Sequence, residues 1–287
     1  MTTRKKRKPQ SKMKIKSVAS MMPRTRTLFK FLDEEWPTFK EVCNKRWKNV
    51  DKNLLTGAFS LSDVLGSGYF GIVLSTSNKK LVVKVTSDND EGYFNQLILS
   101  DPFLRNNPGL PYVFDCFHIP EWGAYVILRE NVYFGLDKLP ESSPLARSIG
   151  VLDEYGEKAI RIESKVAKLL RSLQNLDSAV SKSNFVYAYR EAQGLMRTEI
   201  IKALKKLPQV SENSKYFHSM EVIEHSLDKY GIALWDLHTL NLGRHRYDLS
   251  DLADDAPELD KESVLILDVG GNFGSPIMAQ MIDEIEI

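Results

Sequence analysis

The chain has 287 residues, 43% of them hydrophobic and 27% charged, with 39 Lys/Arg against 38 Asp/Glu. That is enough for one large domain or two lobes around a core, in the composition range of a soluble globular protein. No apolar run approaches the ~20 residues that span a bilayer, and no apolar signal core follows the charged N-terminus, so the expectation is a cytoplasmic protein with no membrane contact.

The near-neutral sum conceals a division. Residues 1–30 hold eleven Lys/Arg and no acid, which leaves 28 basic and 38 acidic side chains, net −10, on the remainder. Residues 1–26 combine Lys, Arg, Ser, Thr and Pro with few large apolar groups, and read as a disordered basic arm. Its Arg4-Lys-Lys-Arg-Lys8 run suits nucleic acid or an acidic protein, or a nuclear address in a host with a nucleus. A solubilising tail explains it equally well. Cys43 and Cys116, the two cysteines, have no metal-ligand spacing and are expected as free thiols.

Residues 27–57 read as a helical extension. Leu28, Phe29, Phe31, Leu32, Trp36, Phe39, Val42 and Trp47 recur near helical spacing, with Pro37 as an interruption. The period then changes. Phe59 to Leu65 alternates as a strand does, and Gly66-Ser-Gly-Tyr-Phe-Gly-Ile-Val73 follows between two strands. A dinucleotide fingerprint needs a helix at that point. Between strands, the glycines Gly66, Gly68 and Gly71 let backbone amides close over phosphates, and Val73 can cap an adenine ring; a plain turn needs glycines too.

Leu81 to Val85 is the next strand. Lys84 and Val82 share one face, Leu81, Val83 and Val85 the other. A lysine among apolar residues needs an anion if it is buried; on an edge strand it would simply face solvent. Asp88 to Leu99 begins with cap-type residues and continues as a helix. Glu91 stands where it can pair with Lys84, and helix capping accounts for it as well. Strands at 110–118 and 124–130 complete five strands and one helix before residue 131. Residues 145–229 are then mostly helical in pattern, over Lys158–Leu176, Phe185–Leu207 and Lys215–Lys229.

Gly231 to Gly243 contains Asp236 and, five residues later, Asn241 on a short polar loop. A carboxylate there can orient an attacking hydroxyl while an amide oxygen holds a metal ion. Turns use the same residues. The acid-rich stretch 248–262, with Lys261 its one base, reads as a solvated insertion or a docking surface for cations. The strand 263–268 ends in Asp268 just before Gly270 and Gly271, where an acid can bind a metal or simply close a turn.

In chain order these are a glycine-rich hairpin, a strand lysine, an acid-plus-amide loop and a strand-end acid before glycine. The set resembles the signature of the protein-kinase-like superfamily, over residues 58–275. The Asp236-Leu-His-x-x-Asn241 wording is similar to that of the aminoglycoside- and choline-kinase-like branches. With its upstream lobe, the run from Gly231 to Asn241 resembles the serine/threonine protein kinases of lytic bacteriophages.

The resemblance implies a two-lobed α+β fold. Residues 58–131 would form an N-lobe of five antiparallel strands and one helix, and 132–287 a mostly helical C-lobe truncated after the metal-binding strand. It implies ATP and Mg²⁺. Gly66, Gly68 and Gly71 would cover the phosphates, Val73 the adenine, and Lys84 the α- and β-phosphates. Backbone groups near Leu128–Asn131, Glu130 included, would line the adenine edge. Asp236 would orient the acceptor, His238 would touch the γ-phosphate, and Asn241 and Asp268 would hold the metal. Leu234 and Trp235 replace the usual His-Arg before the catalytic Asp, and Val269 replaces the usual Phe of the metal-binding triplet. Only 19 residues follow Asp268, so the segment that docks peptides in the family has no counterpart, and the substrate-docking mode stays open.

The expected activity is phosphoryl transfer to Ser/Thr of protein substrates in the cytoplasm of a host cell if phage-encoded, including self-modification of the arm at some of Thr2, Thr3, Ser11, Ser17, Ser20, Thr25 and Thr27. A small-molecule kinase and a pseudokinase acting as a binding module are the alternatives.

Overall fold

The computed structural model describes residues 22–52, 64–68, 70–134, 146, 149–158, 160–161, 218–232, 234, 236–237, 239–248 and 263–268. Most of the expected arm, His238, the helices expected after residue 161 up to 217, and the acid-rich stretch beyond Asp248 lie outside the described residues.

The chain is a mixed α+β protein with a five-stranded antiparallel sheet. Helix α1 (Pro23–Glu34) starts with Pro at its first position, where the missing N–H costs nothing. Helix α2 (Trp36–Trp47) follows after a break at Glu35, with Pro37 in its first turn. The break lies where Pro37 predicted one. The helix begins inside the stretch expected as disordered arm, because Thr25, Leu28, Phe29 and Leu32 bury one face of α1.

The sheet consists of β1 (Val64–Ser67), β2 (Gly71–Ser75), β3 (Leu81–Thr86), β4 (Val113–Ile119) and β5 (Ala124–Glu130). Its order is β1-β2-β3-β5-β4, and every neighbouring pair is antiparallel. Central strand β3 is buried along its whole length, which rules out the edge-strand account of Lys84. One sheet face, with Ile72, Leu74, Val83, Val85, Val126 and Leu128, forms a core with Leu28, Leu32, Phe39, Cys43 and Trp47 of the two helices. Each such side chain removed from water contributes about 1.5–3 kcal/mol. Asp115 of β4 fastens the far end, accepting a forked pair of bonds from Arg46 and one from Trp47 Nε1 at 2.7 Å.

Helix α3 (Asn89–Ser100) covers the other face, followed by the single turn α4 (Pro102–Arg105), which the sequence pattern did not announce. Phe94 and Ile98 of α3 share a second core with Ile127, with a helical run over 149–158 (α5), and with Val222, Ile223 and Leu227 of α6 (His218–Tyr230). A small sheet, β6 (Tyr133–Phe134), β7 (Leu242–Arg244) and β8 (Leu265–Ile266), closes this side in the order β6-β7-β8. Cys43 and Cys116 are free and buried. Burial pushes the Cys116 thiol up to about 12 and Cys43 higher still, so neither is a reactive thiolate. No described helix is long and apolar enough to cross a membrane.

Asp101, buried between α3 and α4, ties this layer together. Its Oδ2 meets His225 Nε2 at 2.7 Å, Tyr230 OH at 2.7 Å and Lys229 Nζ at 3.1 Å, while Oδ1 accepts the Phe103 N–H at 2.8 Å. Burial alone would raise this carboxyl, but the donors outweigh it and hold it well below the ordinary range. Asp101→Asn should therefore destabilise the fold by roughly 2 kcal/mol at neutral pH. A depressed carboxyl contributes its stabilisation above about pH 4 and loses it as the pH falls toward the folded value. Denaturation of both proteins between pH 7 and pH 3 checks this: the gap should narrow with acid, and a constant gap would contradict it.

Candidate functional site

Lys84 reaches out from β3 on the face opposite the α1–α2 core, and its Nζ forms a close ion pair with Glu91 Oε1 of α3. The two sequence-level accounts of Glu91 are separated by Asp88. Asp88 is the cap, accepting the N–H groups of Asp90 at 2.9 Å and Glu91 at 3.4 Å, which leaves the Glu91 side chain for the lysine. Gly92 lets α3 come this close: a side-chain carbon there would fall 2.1 Å from the Tyr125 ring. Mid-helix glycine costs about 0.5–1 kcal/mol of helix stability, offset here by close packing that brings Glu91 to the sheet. Burial pushes the Glu91 carboxyl up, and the Lys84 ammonium opposes the rise.

A second carboxylate faces the same lysine. Asp268 Oδ2 lies 3.9 Å from Lys84 Nζ, and Asp268 is partly exposed. Its placement comes from β8 through the backbone. Leu242 pairs with Ile266, and the Leu267 N–H donates to the Asn241 carbonyl at 2.8 Å. Asn241 closes a short 3₁₀ turn (Thr239–Asn241), and its Nδ2 donates to the Asp236 carbonyl at 3.0 Å and to Asp236 Oδ2 at 2.9 Å. Both partners are pure acceptors, which fixes which end of the amide is nitrogen and leaves its oxygen for a cation. Lys84, Asp236, Asn241 and Asp268, predicted from separate parts of the sequence, are thus brought together, with Glu91 completing the group.

The glycine-rich turn joins β1 and β2 above this group. Gly71 has a packing reason, since a side-chain carbon there would sit 2.9 Å from the Val85 carbonyl and 3.4 Å from Lys84 Cε. Gly66 and Gly68 have none of that kind. Such a carbon would meet no described atom within 4 Å at either position, and neither residue has a positive φ. Space kept clear of protein atoms is what a phosphate needs for close backbone approach. Val73 pairs with Lys84 across β2 and β3, so the two side chains share a face.

Glu130 holds a different post from a simple nucleotide contact. It is fully buried, and its N–H donates to the Tyr112 carbonyl at 3.0 Å. The Tyr112 N–H, which would normally return a ladder bond to the Glu130 carbonyl, goes to Glu130 Oε1 at 2.8 Å. His245 Nδ1 meets the same carboxylate at 2.9 Å, while its Nε2 faces the Pro108 carbonyl at 3.0 Å. The side chain therefore braces the end of β5. Next to it, Arg129 Nη1 donates to the Leu267 carbonyl at 3.1 Å, fixing the residue before Asp268. Sequence reasoning missed Arg129 and His245, whose partners lie 138 and 115 residues away; no local pattern marks such pairs. It also misplaced Thr25, expected as an open acceptor hydroxyl and found fully buried.

Chemically, the group offers one buried cation, one orienting carboxylate, and one amide with one acid for a metal. No described cluster of three or more His, Cys, Asp or Glu side chains is placed to hold a metal by itself. Mg²⁺ is commonly bound by one or two protein oxygens together with substrate phosphates, and the Asn241–Asp268 pair fits that pattern.

Removing Lys84 tests the buried pair. Lys84→Met strands the Glu91 carboxylate, with an expected loss on the order of 3 kcal/mol at pH 8. A carboxyl raised by burial keeps its stability below the ordinary Glu range and loses it as the pH climbs through the folded value. The loss should therefore be smaller at pH 5 than at pH 8 in urea titrations. Equal losses would show that Glu91 does not depend on Lys84.

Comparison with protein-family models finds no match, and comparison with curated proteins finds no relative of significant similarity.

Proposed function

We propose that the chain is an ATP-dependent phosphotransferase of protein-kinase-like architecture, acting on Ser/Thr hydroxyls of protein substrates. The observation that carries this reading is Lys84, held by Glu91 on one side and 3.9 Å from Asp268 on the other, with Asn241 bonded through its carbonyl to the residue before Asp268 and through its side-chain amide to Asp236. Strand order and the helix between β3 and β4 support it. So does the clear space over Gly66 and Gly68.

In this reading Lys84 steadies the α- and β-phosphates, and the turn amides cover them. Asn241 and Asp268 would hold Mg²⁺, which would supply charge neutralisation. Asp236 accepts a hydrogen bond from the acceptor hydroxyl and aims it at the γ-phosphorus. The new bond joins that oxygen to phosphorus, the bond to the β-γ bridging oxygen breaks, and the hydroxyl proton leaves by way of Asp236. Positioning and charge supply most of the barrier reduction in such transfers, so this set is sufficient.

The test is transfer from γ-labelled ATP with Mg²⁺ into a cell extract and into the chain's own arm. Asp236→Asn should keep the MgATP-induced rise in melting temperature and lose transfer by orders of magnitude; wild-type turnover would remove Asp236 from the mechanism. Asp268→Asn should shrink the Mg²⁺-dependent part of that rise. Gly66→Ala and Gly68→Ala should leave stability unchanged or raise it by about 0.4–1 kcal/mol, yet weaken MgATP. Label entering only small molecules would favour a small-molecule acceptor, and no nucleotide-dependent shift at all would favour a non-catalytic binding module.

A further inference from the structure

The proposed reaction makes no call on residues 22–47, yet α1 reaches the glycine-rich turn. The Thr25 hydroxyl donates to the Gly68 carbonyl at 2.7 Å, from a fully buried position. One residue earlier, the Arg24 guanidinium lies over the Phe70 ring, 5.5 Å from its centroid. The turn itself is closed by the Gly68 N–H to the Gly71 carbonyl at 2.9 Å. α1 therefore grips the turn on either side of its tip. At the other end, Arg46 and Trp47 of α2 are fixed to Asp115 on β4. Because β4 and β1 are the two edges of the sheet, the helical pair crosses the whole sheet and is anchored at both margins.

The two helices pack on the face of β3 that carries Val83 and Val85, whereas Lys84 leaves from the opposite face. The Thr25 hydroxyl therefore holds the turn from the side away from Lys84.

We infer that Thr25 is a positioning residue for the nucleotide phosphates, and that α1 is a brace holding the glycine-rich turn from the face opposite Lys84. The inference rests on the nucleotide reading of the site. It assigns the N-terminal helical pair a part in binding, beyond covering apolar surface.

Thr25→Val keeps the side-chain shape and removes the donor, while Thr25→Ser keeps the donor. Amide hydrogen exchange over residues 64–75 should be about fivefold faster in Thr25→Val and unchanged in Thr25→Ser. The Kd for MgATP should rise about fivefold in Thr25→Val, and the Kd for adenosine, which has no phosphates, should stay at its wild-type value. Arg24→Ala, at an exposed position, should move both readouts the same way without threatening the fold. Exchange indifferent to Thr25→Val overturns the brace. Faster exchange with unchanged MgATP affinity, or with adenosine weakened as much as MgATP, overturns the phosphate role. A wild-type chain that binds neither ligand overturns the nucleotide reading instead, and the exchange data then still decide whether α1 braces the turn.

Discussion

A lysine buried in the middle of a sheet is the constraint on which the rest of this structure depends. Lys84 is 9% exposed and Glu91 2%, and withdrawing such a pair from water costs several kcal/mol per ion before their attraction offsets it. Two apolar side chains of similar volume would hold β3 to α3 at least as well. The pair is therefore poorly explained as a stabilising device. Its effect is positional: a cation on a rigid strand, locked by a helix, presented to a partly exposed carboxylate 3.9 Å away.

Around that cation the chain is organised by backbone contacts more than by side chains. β7 and β8 place Asn241 and Asp268 side by side through strand pairing and the Leu267-to-Asn241 bond. The same small sheet is tied to the large one by the Ile266 N–H to the Gly109 carbonyl at 3.0 Å and by Arg129 on Leu267. The Glu130–His245 contact adds a buried side-chain tie between the end of β5 and the stretch after β7. Lys84, Asn241 and Asp268 are thus carried by a strand and by turns directly joined to strands, where positions are better fixed than in loops. On the opposite face, the α1–α2 pair packs a second core and leaves the Lys84 face to the site.

Much of this was legible in the sequence where the signal is local. The alternation in Leu81–Val85 gave the correct face for Lys84, Pro37 marked the break between helices, and the Asp88 run marked the start of α3. Beyond the N-terminal helices, the five strands and one helix expected before residue 131 match the described elements, apart from the single turn α4 and a 3₁₀ turn at Pro120–Trp122. The Lys84–Glu91 pairing was not decidable, because an acid three residues past Asp88 suits a cap as well as an ion pair; only the packing of Gly92 against Tyr125 sets the distance. Thr25 was misread for a related reason: a basic, Ser/Thr-rich stretch looks disordered until Leu28, Phe29 and Leu32 are seen to have a sheet to cover. His245 and Arg129 carry no motif, since their roles come from partners more than a hundred residues away.

The central claim is that Asn241 and Asp268 share a cation that also touches a nucleotide held by Lys84. A crystal structure with Mn²⁺ and a non-hydrolysable ATP analogue, with the ion located by its anomalous scattering, tests it most directly. The account predicts one Mn²⁺ bound by Asn241 Oδ1 and the Asp268 carboxylate, phosphates against Lys84 Nζ, and the glycine-rich turn closed over them. An ion bound elsewhere, or a nucleotide away from Lys84, would contradict it.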